Sequence, residues 1–170
     1  MEIKNTFYLS IGSNLGDRLS NLQFAINSLK AIDCEILVAS SVYESEPLGF
    51  SADQTFFNAA LKGHTFANEE ELMTSLLNIE KIAGRERNNS KEYASRPLDL
   101  DIIFFNESVV KTDFLEIPHP RYRERKFVLL PLIEIQKELC DPTDLKPLSE
   151  ILVSSGDTSE IKRLESILIY

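Results

Sequence analysis

Apolar positions recur along this chain with two periods, and the switches between them predict its elements. The run from Thr6 to Ile11 predicts a strand ending at Gly12. Past the loop Gly12-Ser13-Asn14-Leu15-Gly16-Asp17, Leu15, Leu19, Leu22, Ile26 and Leu29 fall at helical spacing. Ile36 to Tyr43 predicts a second strand and Phe56 to Phe66 a third. Between them, Glu44 to Gln54 is a loop holding the turn signal Pro47-Leu48-Gly49. Asn68 and Glu71 have the spacing of a capping box. The helix they open carries Leu72, Leu76, Ile79 and Ala83 on one stripe, and Gly84 is placed to end it.

Arg85 to Ser95 is polar and aperiodic, as a long loop would be. A further strand is predicted up to about Phe105, with Asn106-Glu107-Ser108 as a hairpin turn. Pro118-His119-Pro120 breaks the chain, and Phe127 to Ile135 predicts a short helix despite Pro131. Residues 141–170 are expected to form a C-terminal appendage with one more helix. The order strand-helix-strand-strand-helix-strand is that of the split βαβ unit, so the expected class is α+β: a ferredoxin-like antiparallel sheet with helices packed on one face, open to extension by later elements. At 170 residues, without repeats, 1–170 reads as a single domain.

Composition narrows the partners. A hydrophobic content of 43 % is ordinary for a globular protein, and no apolar run approaches the roughly 20 residues that span a bilayer. No signal peptide is read at the N-terminus. Cys34 and Cys140 are too few for a disulfide framework and lack metal-ligand spacing. A cytoplasmic, reduced protein is therefore expected. A net charge of −9 argues against general binding to nucleic acid or anionic membranes. No obligate protein partner is evident. The distribution of charge says more than its sum. Arg85, Arg87, Lys91 and Arg96 lie in one window, and Arg121, Arg123, Arg125 and Lys126 in another, so eight of the 18 basic residues occupy two short stretches. In an acidic chain these are either two solvated loops or the walls of an anion site suited to phosphate.

The chemistry centres on Arg96-Pro97-Leu98-Asp99-Leu100-Asp101-Ile102. A strand has a side-chain period of two, so Asp99 and Asp101 point to one face. Two like charges beside an apolar strand are costly unless a cation lies between them, and an oxygen-only ligand set suits Mg²⁺. Gly12-Ser13-Asn14-Leu15-Gly16 lacks the lysine of a P-loop; it reads as a tight turn or as a close approach of backbone to ligand. His64 falls inside a strand and reads as structural. His119 is fixed in direction by two prolines beside the second basic window. No Ser or Cys is paired with a base, which argues against covalent catalysis. Phe56 and Phe57 ahead of Asn58, and Phe127 after the second basic window, are either core or the two sides of a slot for a flat heterocycle.

Taken together, these segments resemble one family, the 6-hydroxymethyl-7,8-dihydropterin pyrophosphokinases of folate biosynthesis. The matching stretches are Tyr8 to Gly16, Pro47-Leu48-Gly49, Phe57-Asn58-Ala59-Ala60, Ile79-Glu80 with Gly84-Arg85-Glu86-Arg87, the Arg96 to Ile102 segment, and Ile117-Pro118-His119-Pro120 with Arg125 to Leu132. They occur in the family's order over about residues 6–137. The resemblance implies transfer of pyrophosphate from ATP to the hydroxymethyl group of the pterin, with release of AMP. It implies two Mg²⁺ ions held by Asp99 and Asp101. It places Phe56, Asn58, Phe127 and the backbone around Ser45 and Leu48 at the pterin. It places Glu80, Arg85, Arg87, Arg96, Ile102, His119 and Arg125 on the ATP side, with Arg85 and Arg96 in the catalytic role and Tyr93 on a closing loop. Phe56 stands where tyrosine is common, and Leu77 where some members are polar. A non-catalytic pterin- or nucleotide-binding module is the alternative; a different Mg²⁺-dependent nucleotidyl transferase, releasing pyrophosphate, is a third reading.

Overall fold

The computed structural model describes residues 4–48, 52–85 and 94–170. Strand β1 (Asn5–Ser13) lies inside the sheet and pairs antiparallel with β4 (Phe56–Thr65) and β5 (Asp99–Phe105). β4 pairs in turn with β2 (Glu35–Ala39) and β3 (Tyr43–Ser45). Helices α1 (Arg18–Ala31) and α2 (Glu69–Ile82) cross between strands as the split βαβ pattern requires. The class is thus the expected α+β with an antiparallel sheet.

Helix boundaries follow their caps. Asp17 accepts from the Ser20 amide and starts α1, which leaves Leu15 outside the helix and exposed rather than on its stripe. Asn68 and Glu71 form the full capping box of α2, and Gly84, at φ 91°, follows its end. Phe7, Leu9, Ile11, Leu61, Leu100 and Ile102 meet Leu22, Ile26, Leu29, Leu72 and Leu76 in one fully buried layer.

The sequence reading is corrected in four places. The run Ile36 to Tyr43 is two strands, because the Ser40 hydroxyl, not a carbonyl, accepts from the Ala60 amide and breaks the ladder. Asn106 makes no hairpin with β5. At φ 48° its side chain accepts from the Thr6 amide, and the chain departs into a separate ribbon of β6 (Val110–Lys111) and β7 (Glu116–Ile117). Helices cover both faces of the sheet, not one. A bulge at Tyr8/Leu9 makes Ile103 the extra residue on β5, so Ile103 and Phe104 both join Tyr8 on the second face. There α3 (Lys126–Ile135, with Pro131 inside it) and α4 (Leu148–Ser154) bury them. Finally, residues 141–170 are no mere appendage: β8 (Ile161–Arg163) extends the sheet against β3, and Leu168 enters the main core. Among the described residues no helix is long and apolar enough to cross a membrane.

The second layer is tied by a buried carboxylate. Asp141 accepts from the Tyr122 hydroxyl, from Arg123 Nε at 2.8 Å, and from the Thr143 amide and hydroxyl, each at 2.6 Å. Burial works against its charge, but these donors outweigh it and hold the carboxyl below the usual range. Asp141→Asn is expected to lower unfolding stability by about 2–3 kcal/mol, the scale of hydrogen bonds to a buried charge. Urea titration would read this as a lower midpoint at an unchanged slope.

Candidate active site

The strand register assembles a row of side chains on the face opposite α1 and α2. Antiparallel partners share a face, so Tyr43, Asn58, Gly12 and Asp99 lie across the sheet in that order. Ala60, Ser10 and Asp101 form the next row. Gly12 is needed there as a floor: a Cβ would sit 3.2 Å from Asn58 Oδ1 and 3.9 Å from the Asp99 Cβ. Above these rows lies a cleft lined by Ser45, Leu48, Phe56 and Phe127 and by Arg96, Arg121 and Arg125; the Arg96 guanidinium stands 5.4 Å from the centre of the Phe56 ring and that of Arg125 5.8 Å from the centre of the Phe127 ring.

Charge is tightly arranged at the Asp99 end. Its carboxylate accepts from Arg85 Nη1 and, at 2.7 Å, from Arg96 Nη2. Behind Arg85 stands buried Glu80, whose Oε1 accepts from Arg85 at 2.6 Å and from the Leu100 amide at 2.8 Å. Glu80 thus locks Arg85 onto β5 from beneath and does not line the cleft. Burial opposes the Asp99 charge, but Arg96 and Arg85 outweigh it and keep its carboxyl below the ordinary range.

Asp101 is the opposite case. Burial first, then the Asp99 charge, pushes its carboxyl up to about 7. Its close neighbour His119 has Nε2 at 3.9 Å. That ring is neutral at pH 7, because burial and Arg125 push it down to about 4. The Arg121 amide donates to Nδ1 at 3.2 Å, so the ring proton sits on Nε2, the nitrogen facing Asp101. Burial also pulls the Arg125 guanidinium down, against Asp101. The Nε–H groups of Arg96 and Arg125 are buried with no acceptor among the described residues. The cleft therefore holds a carboxylate short of positive charge and donors short of an anion. Among the described residues no three His, Cys, Asp or Glu side chains gather to close a metal shell. Two carboxylates fit a hard cation that fills the rest of its shell with water or phosphate oxygens.

At the other end, the buried Asn58 amide donates to Ser45 Oγ at 2.9 Å, which orients it across β3 and β4. The residues singled out from sequence sort as follows. Asp99, Asp101, Arg96, Arg125, Ser45, Leu48, Phe56, Asn58 and Phe127 line the cleft; Arg85 and His119 contact its carboxylates. Ile102 does not face it: its side chain is in the core against α1 and α2, so only its main chain is left for a ligand. Arg87 and Tyr93 lie outside the described residues. Sequence reasoning missed Ser10, which the two-residue period of β1 would have aligned with Gly12; Arg121, read only as part of the second basic window, is a wall of the cleft. It also missed Asn14. This buried side chain accepts from the Arg96 amide at 2.8 Å and donates to Ser95 Oγ at 3.1 Å, while its own amide donates to the Arg96 carbonyl at 3.1 Å.

The chain is similar to known proteins in sequence and in fold. The family model for 7,8-dihydro-6-hydroxymethylpterin-pyrophosphokinase matches residues 8–137. The chain is 37 % identical over 145 residues to the 2-amino-4-hydroxy-6-hydroxymethyldihydropteridine pyrophosphokinase of Aquifex aeolicus (strain VF5), covering 85 % of this chain and 89 % of that one. It is 40 % identical over 127 residues to a folate synthesis bifunctional protein of Arabidopsis thaliana, covering 75 % of this chain but 26 % of the longer plant protein. Among solved structures, wild-type Plasmodium falciparum HPPK-DHPS with pteroate superposes at a TM-score of 0.69 and 15 % identity, over 91 % of this chain and 43 % of that one. At that identity the likeness is one of fold.

Without a divalent cation, Asp101 should weaken the folded state. Its folded pKa lies above the ordinary aspartate value, so stability is fully present below about pH 4 and falls as the pH rises through 7. In chelator, Asp101→Asn is expected to remove that decline and to stabilise the protein at pH 8 by about 1–2 kcal/mol, an amount discounted because the side chain is 32 % exposed. Thermal unfolding of both proteins across pH 4–8 checks this.

Proposed function

The chain belongs to the 7,8-dihydro-6-hydroxymethylpterin-pyrophosphokinase family, and on that premise we propose how its cleft carries the reaction. The activity is that of a pyrophosphokinase of folate synthesis, with ATP as co-substrate. In our reading the pterin hydroxymethyl oxygen attacks the β-phosphorus of ATP in line. The new O–P bond forms as the bond from that phosphorus to the α-phosphate oxygen breaks, and AMP leaves with the electron pair. The alcohol proton passes to solvent.

The observation that carries this reading is the row from Asn58 through Gly12 to Asp99, which sets a heterocycle-sized wall beside a charged one. At the first wall, Phe56 and Phe127 bracket the pterin ring. The Asn58 amide, held by Ser45, pairs with the ring's edge, and the backbone around Ser45 and Leu48 completes that side. At the second wall, Arg85, Arg96 and Arg125 take the triphosphate, and the unmatched Nε–H groups of Arg96 and Arg125 are donors ready for it. Neutral His119 offers Nε2–H to a phosphate oxygen without adding to the charge. Glu80 acts by holding Arg85 in place. Arg87 and Tyr93 are proposed to approach from the adjoining segment. Asp99 and Asp101 would hold two Mg²⁺ ions, which supply charge neutralisation on the transferring phosphoryl group.

No protein nucleophile is called for, so the chain contributes position and a field fixed in advance. Alignment of two bound reactants can supply about 7–11 kcal/mol of the barrier. Small molecules are then the partners of the site. The free thiols of Cys34 and Cys140 accord with a reducing cytoplasm as its setting.

Incubation with ATP, Mg²⁺ and the pterin alcohol is expected to yield AMP; release of pyrophosphate instead would identify a nucleotidyl transferase, and no turnover a binding module. Asp101→Ala is expected to abolish AMP formation in a folded protein. Asp99→Ala should do the same but also lose stability, since it strips a partner from both Arg85 and Arg96. Arg96→Ala should lower kcat at least tenfold while pterin affinity changes less; equal losses in both would contradict its placement on the phosphate side.

A further inference from the structure

Helix α3 begins at the cleft, yet its own N-cap residue does not cap it. Arg125 stands at that position with an extended backbone and no side-chain hydrogen bond to the first turn. The orphan amide of Lys126 is instead satisfied from 31 residues downstream, by Asp157 Oδ2 at 2.8 Å. Lys126 returns the contact, its Nζ donating to the Ser159 carbonyl at 2.9 Å. The Ser159 amide donates to Asp157 Oδ1 at 2.8 Å, so both carboxylate oxygens are engaged.

The same segment then reaches the opposite wall. Two residues after Ser159, β8 pairs with β3, Ile161 lying against Ser45 and Arg163 against Tyr43. Arg163 Nη2 also donates to Glu134 on α3 at 3.0 Å, and Glu134 accepts from the Tyr43 hydroxyl at 2.8 Å. Residues 157–163 therefore join the start of α3, which carries Arg125 and Phe127, to β3, which carries Ser45. All three of those residues line the cleft.

We propose that Asp157 is a positioning residue for the reaction: by capping α3 from the C-terminal segment, it fixes Arg125 and Phe127 against the Ser45 wall, and so sets the width of the slot for both substrates. The inference rests on the function proposed above for the partners of those residues. Fraying of the first turn would swing the guanidinium and the ring together, because Arg125 and Phe127 flank the capped residue.

The test compares Asp157→Ala, which removes both acceptors, with Asp157→Asn, which keeps one oxygen for the Lys126 amide. In Asp157→Ala, hydrogen exchange of amides 126–130 is expected to speed up, and KM for the pterin alcohol and for ATP to rise, each about fivefold, the equilibrium factor of one lost helix cap. Both KM values should move more than kcat. Asp157→Asn should stay within about twofold of wild type in all of these. Unchanged exchange in Asp157→Ala overturns the proposal. So does faster exchange with both KM values unmoved, or an Asn variant that behaves as Ala does. A wild-type protein that releases no AMP would refute the proposed function instead, and the exchange comparison would still decide whether Asp157 orders the start of α3.

Discussion

One half-buried carboxylate between two guanidinium groups organises this molecule. Asp99 accepts from both Arg85 and Arg96, and Glu80 backs Arg85 from below while accepting the Leu100 amide. An ion network of this depth is costly to desolvate and is stable only if each lone pair has a donor. The surrounding elements are placed to meet that demand. The end of α2 delivers Glu80 and Arg85, β5 delivers Asp99, and the Asn14 side chain at the end of β1 fixes the Arg96 main chain. Removing any one member leaves a charge in the interior without its partner.

That arrangement satisfies Asp99 at the expense of its neighbour. Asp101, two residues on, lies on the same face with a neutral imidazole as its close contact, and its carboxyl is pushed up to about 7. A pair of acids so close, with one neutralised by protein and one not, is matched by what a metal–triphosphate complex brings: positive charge for Asp101 and acceptors for the arginines. Stability and activity pull against each other here, as expected where a site is preorganised for a charged ligand.

Much of this was legible in the sequence, and the failures have physical causes. The capping box at Asn68, the alternation of Leu98, Leu100 and Ile102 with the two aspartates, and the helical stripes are local signals, and the structure follows them. What the sequence could not show was set by contacts distant along the chain. The break at Ser40 depends on a hydroxyl reaching Ala60 across the sheet, and the loss of the hairpin at Asn106 depends on bonds to β1. The resemblance places Ile102 on the ATP side; the period of two that puts Asp99 and Asp101 together turns its side chain to the other face and leaves its main chain for a ligand. Asn14 gave no signal in a Gly-rich turn, since its role exists only once Arg96 is beside it.

The bulge in β5 decides which large side chains join the second face of the sheet. Were the alternation of β5 unbroken, Ile103 and Phe105 would fall on the second face, and Phe104 would join Ile102 on the face of α1 and α2, away from Tyr8 and Tyr122. With Ile103 as the extra residue, the strand changes character along its length: acids at the Asp99 end, and adjacent large apolar side chains at the Phe105 end. The apolar half needs a cover, and α3 with α4 supplies it. The acidic half stays open because α3 starts only at Lys126, past the two arginines it brings to the cleft's rim. The passage of β5 from acids to large apolar side chains thus divides a sheet face into a site and a core, and the start of α3 marks the boundary between them.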